Sequence, residues 1–432
     1  MARLTNQTRE AWPFVLIVAL AFGASKCLPG AEVGTSDDDV DRTIAECSKA
    51  IQFEPDDANA YRNRGNAYRK QCEYDKAIAE YNEAIRLDPK LATAYNDRGI
   101  AYYSKGEYDK AVADYSEAIR LDSKLARFHF NRGTAYEKKD ESDKAIADYT
   151  EAIRLDPEFA FAFYNRGTIH LDRGEFEKAI DDYSEAIRLD PKDPEAYYNR
   201  GIAYYKTRGI DKAIADYSEA IRLDPKLPEP YGNRGTAYCE KGEYDKAIAD
   251  YTEAIRLNPK DGNAYFNRGN VYDDMGEYDK AIADYAEAIR LDPEDAKAYN
   301  NRGIAYAAKG EYDKAIADYA EAIRLDPEDA KAYNNRGIAY AAKGEYDKAI
   351  TDCTKAIGLD PKDPLAYNNR GLVYLKTGRI DKAIDDFTKV IRLDPKNGKA
   401  HYFRGLAYDD KGERDKAEAD FARARDLGFV PD

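Results

Sequence analysis

Histidine is the side chain best suited to acid–base work near neutral pH, and this chain has three: His129, His170 and His401. Each falls at a position that is aromatic in most other copies of a recurring segment, on an apolar stripe, so the expected role is packing. No Ser-His-Asp order, His-Glu-x-x-His stretch, phosphate-binding glycine loop or dinucleotide fingerprint accompanies them. Adjacent acids occur at Asp181-Asp182 and Asp273-Asp274. General acid–base catalysis needs a desolvated cleft, and these pairs are expected on ordinary helix surfaces. The Asp-Pro-Glu-Asp stretch at 292–295 puts three acids in one turn. It lacks the loop glycine and distal glutamate of a hand-type calcium site. The five cysteines, Cys27, Cys47, Cys72, Cys239 and Cys353, show no metal-ligand spacing. They read as isolated thiols, with a disulfide among the first three left open for an exported chain. No catalytic residue, metal or cofactor is expected.

Bulk properties narrow the partners. The net charge of −15 disfavours a general phosphate-binding surface and so nucleic acid. Thirty-seven tyrosines beside one tryptophan and two methionines imply one position type used repeatedly. Arg3 and Arg9 precede an apolar run at 11–24, shorter than the ~20 residues of a membrane-spanning helix. A basic start, a short apolar middle and small residues after it describe a secretory signal peptide at 1–23, followed by a linker at 24–36. Ala19-Leu20-Ala21 offers cleavage after Ala21, with Gly23 as a second choice. Lys26 before Cys27 argues against bacterial lipid attachment. The expectation is an exported protein, periplasmic or extracellular, with an uncleaved N-terminal anchor as the alternative.

The elements that position these residues emerge from a period of 34. Gly65, Gly99, Gly133, Gly167, Gly201, Gly235, Gly269, Gly303, Gly337, Gly371 and Gly405 all follow an arginine, and each step is 34 residues. Eleven units thus tile 58–431, and residues 276–316 repeat identically at 310–350. In the unit 296–329, Tyr299, Gly303 and Tyr306 share one helical face. Gly310 interrupts it; Tyr312, Ala315, Tyr319, Ala322 and Ile323 form a second stripe, which Pro327 ends. Each unit is therefore a helical hairpin, with Gly303 and Ala315 at the close approach. Residues 37–57 align with a second helix that has no first helix before it, and should cap the array. Arg414, Glu418 and Arg425 give the last helix a polar outer face, as a terminal repeat requires.

This unit resembles the tetratricopeptide repeat: an aromatic, a glycine, Tyr, Ala, an aromatic, Ala and Pro at fixed positions in 34 residues. Departures are few: Ser123 for a proline, Cys353 for an aromatic, His129 and His401 for the first aromatic, and Val390 for an alanine. The resemblance implies an all-α fold, a right-handed α-solenoid of antiparallel helix pairs with a concave groove. It also implies that positions 2, 5, 9, 12 and 13 of each first helix line that groove. In units one to five these positions include Arg62, Arg69, Lys70, Arg127, Lys138 and Lys206 against Glu137, Asp172 and Glu195. Six cations against three carboxylates make a local excess of three within an acidic protein. Units six to eleven carry four cations against six carboxylates. The candidate peptide-binding set is Arg62, Asn66, Arg69, Tyr103, Arg127, Phe130, Phe161, Tyr164, Tyr198 and Tyr205.

Aromatic residues and arginine anchor interfaces, and a basic patch attracts an acidic partner. The expected function is a non-enzymatic scaffold binding a protein or peptide with apolar and acidic residues over units one to five. A recognition subunit of an envelope enzyme and a passive spacer are the alternatives; no small-molecule substrate is expected. A carboxylate clamp of the kind some relatives use is disfavoured, because Asp97 stands where a carboxylate would sit. Finally, the residue before each unit glycine is arginine, where the family has leucine. In a hairpin centred near Gly310, Arg302 lies opposite Asp318, which predicts an Arg–Asp pair repeated along the array. Replacing Arg302 by Leu should then be tolerated, and replacing Asp318 should cost more.

Overall fold

A computed structural model describes residues 37–430. The described residues contain 23 α-helices and no strand. Asp37–Phe53 is a lone helix; the other 22 form eleven hairpins, repeats 1–11, each with a first and a second helix. In repeat 8 these are Ala296–Ala308 and Tyr312–Leu325. The chain divides into two compact bodies, one ending at Ala237 and the other starting at Tyr238. Within each body successive helices pack against one another, from Asp37–Phe53 to Ile210–Leu223 in one and from Tyr244–Leu257 to Arg414–Asp426 in the other, an all-α solenoid arrangement.

The hairpin turn follows from backbone chemistry. Gly310 has φ +78°, a left-handed conformation that costs glycine little. Its N–H donates to Ala307 O at 2.9 Å and the Glu311 N–H donates to Tyr306 O at 2.9 Å, which satisfies two carbonyls at the helix end. Cys72, Asp140 and Arg208 hold this position in repeats 1, 3 and 5 with φ near +60°, so three turns are built on a non-glycine residue.

The two helices touch through one small-to-large contact. Tyr319 is fully buried. A Cβ added at Gly303 would lie 2.7 Å from Tyr319 Cε1, closer than packed atoms sit, so only glycine fits under that ring. Ala305, Ala315 and Ala322 are buried around it.

Beside this contact lies the predicted ion pair. Arg302 Nε and Nη2 donate to Asp318 Oδ2 and Oδ1, both at 2.8 Å, with the guanidinium over the Tyr299 ring. An equivalent pair, 16 residues apart, recurs in repeats 2–5, from Arg98–Asp114, and in repeats 7–11, to Arg404–Asp420, with Glu80 as the acid in repeat 1. The arginine also does something its spacing did not reveal. Its remaining nitrogen reaches back to the preceding second helix: Arg132 Nη1 donates to Ser116 Oγ at 3.1 Å and Arg268 Nη1 to Thr252 Oγ1 at 2.9 Å. One guanidinium thus ties three helices. Arg64 makes the same bond to Ser48 of the lone helix, at 3.1 Å, so that helix serves as the second helix of an absent repeat. In the duplicated repeats the acceptor positions are Ala286 and Ala320, and the backward bond cannot form. The last helix, Arg414–Asp426, leaves Arg414, Glu418 and Arg425 exposed.

Candidate functional site

The candidate residues sit on the first helices of repeats 1–5: Ala58–Lys70, Ala92–Ser104, Ala126–Lys138, Ala160–Asp172 and Pro194–Lys206. All belong to the body ending at Ala237. Their surroundings divide them into three groups.

Phe130, Tyr164 and Tyr198 are interior residues, not groove anchors. Phe130 is fully buried, with its ring 4.8 Å from Phe159 and 5.6 Å from Tyr149. Tyr164 packs on Tyr183 at 5.6 Å. Its hydroxyl donates to Glu195 Oε2 at 3.3 Å and accepts from Asn199 Nδ2 at 3.0 Å. Tyr198 packs on Tyr217 at 6.0 Å and accepts from Asn233 Nδ2 at 3.0 Å. Burial pushes both phenols well above the usual tyrosine range. The reason is geometric: in these repeats the position-5 side chain leans into the seam toward the next repeat, which helical spacing alone cannot distinguish from an open face.

A second group is held by neighbouring polar groups. Arg62 Nε donates to Asp97 Oδ2 at 2.6 Å across the repeat boundary. Asp97, which stands against a carboxylate clamp, also neutralises Arg62 and so lowers the local positive excess. Asp97 in turn accepts from Asn96 Nδ2 at 3.1 Å, and Asn96 Oδ1 from Asn131 Nδ2 at 2.8 Å. Asn66 Oδ1 accepts the Tyr81 hydroxyl at 2.8 Å, and Arg69, half-buried, lies beside the same phenol.

The third group is accessible. Arg127 is exposed and stacks over the Phe128 ring at 5.4 Å. Phe161 is 37% exposed, edge-on to Phe159 at 6.4 Å. Tyr103 and Tyr205 are half-buried, and Tyr103 meets the Tyr108 ring edge-on at 5.4 Å. Phe159 did not figure among the candidates. Comparison of position 34 across repeats would have found it, because the other repeats up to the tenth hold Asp, Asn or Leu there.

The residues capable of catalysis are absorbed by packing. All three histidines are buried beside carboxylates. His129 Nδ1 lies 3.4 Å from Asp148, His401 Nδ1 3.0 Å from Asp420, and His170 Nδ1 2.8 Å from Glu175. Asp182 and Asp273 do not lie on open helix surfaces as expected. Asp182 is buried as the partner of Arg166, and Asp273 is 1% exposed. Cys47, Cys72, Cys239 and Cys353 are free thiols. Burial pushes Cys239 and Cys353 up to about 12, so both stay protonated and unreactive at neutral pH. Among the described residues no group of three or more His, Cys, Asp or Glu could hold a metal ion. No described helix is long and apolar enough to cross a membrane; the apolar run at 11–24, the linker and Cys27 lie outside the described residues.

Comparison with known proteins agrees with the repeat period. A family model described as TPR repeat matches residues 65–106, 99–140, 167–207 and 235–276. Models described as tetratricopeptide repeat match 268–329 and 300–364, 126–159, 194–227 and 364–397, 217–249, and 398–426. No curated protein matches the chain. Solved structures similar to it include YrrB, titled a TPR protein with an unusual peptide-binding site, at 27% identity over 44% of this chain and 97% of that one, TM-score 0.40. MamA is 31% identical over 40% of this chain and 96% of its own, TM-score 0.38. A tetratricopeptide repeat protein from Parabacteroides merdae is 23% identical over 57% of this chain and 98% of its own, TM-score 0.45. With its 34-residue period, its hairpins and family models matched from residue 65 to 426, this chain belongs to the tetratricopeptide repeat family.

Proposed function

We propose that the chain is a non-enzymatic scaffold that holds a polypeptide segment along the first helices of repeats 1–5. Membership of the family supports a protein–protein interaction role in general. The observation that carries the location is Phe161, the one phenylalanine of the described repeats left exposed, with exposed Arg127 one repeat before it and half-buried Tyr205 one repeat after. Exposed aromatic and arginine side chains are the residues that anchor interfaces. The ligand is read as an extended or helical segment with apolar side chains, and acidic ones opposite Arg127. The N-terminal run at 11–24 supports an exported location.

The test is a crosslinking pull-down from extracts of the native host. Wild type is compared with a triple variant, Arg127→Ala, Phe161→Ala and Tyr205→Ala, and circular dichroism checks that both fold. The triple variant should lose the recovered partner by about tenfold or more, as loss of an anchor cluster implies. Equal recovery by the two proteins sinks the location. Phe130, Tyr164 and Tyr198 are unsuitable targets, because their removal would damage the core.

A further inference from the structure

We propose that the cavity beside Phe159 and Phe161 receives one basic side chain, lysine or arginine, of the polypeptide that the repeats hold; this rests on the peptide-binding reading above. The cavity has a volume of about 290 Å³. Aromatic walls come from Phe159, Phe161 and Tyr164, and carboxylates from Glu158, Asp190 and Asp193. Phe159 is fixed by its stacking on buried Phe130, and Phe161 stands edge-on to Phe159, so the walls are held by the core. A space of this size is at the lower limit of small-molecule pockets and suits one long side chain.

Charge decides which side chain. Asp190 Oδ1 accepts from the Lys192 backbone N–H at 3.1 Å, and Asp193 Oδ1 from that of Glu195 at 3.1 Å. Arg154 and Arg188, on the second helices that lead into these loops, pair with Glu151 and Glu185, and among the described residues Glu158 and Asp190 make no ion pair. A cation over aromatic faces is attracted by the ring quadrupole, and the carboxylates add a direct charge partner. The helix Ala160–Asp172 begins at this cavity and adds about half a positive charge. Three carboxylates outweigh it. An acidic side chain would face those three carboxylates, and an apolar one would leave the charge of Glu158 and Asp190 uncompensated. Acidic loops occur in every repeat, but only repeat 4 is flanked by phenylalanine at both the residue before its first helix and the second residue of that helix.

The cavity thus divides the bound segment: acidic residues toward Arg127, one basic residue at repeat 4. The test is selection of twelve-residue peptides by phage display on the immobilised full chain. Each selected peptide is then synthesised with every Lys or Arg replaced by norleucine, and binding is measured by fluorescence polarisation. The expected result is a basic residue at one fixed position. Its replacement should weaken binding by about tenfold to wild type, and by less than about twofold to Phe161→Ala or to Asp190→Asn. Phe161 and Asp190 are exposed, so both variants should keep the wild-type melting temperature. Peptides that bind repeats 1–5 with no fixed basic residue, or that lose nothing on norleucine replacement, overturn the cation site and leave the peptide-binding reading standing. Failure to select any peptide overturns both.

Discussion

At the residue scale, the Arg–Asp pairs were legible from a spacing of 16, but their energetics were not. The two partners are unequally buried: the Asp318 side chain is 10% exposed and that of Arg302 is 18%. The carboxylate is short and enclosed, whereas the long arginine can swing toward water. Stranding the carboxylate therefore costs more, which reverses the order expected from the sequence. Arg302→Leu should lose about 2–3 kcal/mol at neutral pH, and Asp318→Asn about 1–2 kcal/mol, measured by denaturant unfolding. The sign with pH is read in repeat 2, where burial raises the Asp114 carboxyl even beside its partner Arg98. Without Arg98 it rises further, so the loss in Arg98→Leu is present at high pH and relieved as the pH falls through the carboxylate range. A pH-independent loss in Arg98→Leu would overturn this account. The buried tyrosine of each second helix supplies a second residue-scale prediction. Tyr285 donates to Asn270 Oδ1 at 2.8 Å, but Tyr319 faces Ile304, and its buried hydroxyl has no acceptor. Tyr319→Phe should be neutral or stabilising, while Tyr285→Phe should cost about 1 kcal/mol; equal melting temperatures for the two variants would refute the distinction.

At the element scale, the hairpin is set by the turn and the close helix contact. The turn glycine was readable as a break in the pattern; its left-handed φ explains why glycine is there. Cys72 adopts the same conformation at φ +58° with a side chain that disfavours it. Cys72→Gly should therefore raise stability by about 0.5–1 kcal/mol, and Gly310→Ala should lower it by a similar amount, both read from thermal midpoints. Loss of stability in Cys72→Gly would show that the thiol's contacts outweigh the strain. The candidate aromatics divide at this scale. Positions 2 and 5 of a first helix both belong to the expected groove face, yet Phe130, at position 5, turns into the seam and is fully buried, whereas Phe161, at position 2, is exposed.

At the scale of the whole molecule, stability is a sum over repeats and their neighbours, because each repeat touches little beyond the next. Residues 310–343 are an identical copy of 276–309, so deleting them restores the same junction at Gly344. The shortened protein should keep its mean residue ellipticity and melt within a few degrees of wild type in a single transition. A broad or early transition would show that repeats 8 and 9 differ in role despite identical residues. What the sequence determined by itself was the all-α hairpin repeat, its eleven-fold period, the polar last helix and the Arg–Asp spacing, since these depend on contacts of fixed separation along the chain. What only the tertiary structure decided was which side chains of one stripe are covered by the adjacent repeat, that Asp97 takes Arg62, and that Phe159, Phe161 and the carboxylates around them enclose a cavity. Those outcomes depend on how one hairpin lies on the next, and side chains brought together across a repeat boundary share no period that the sequence can display.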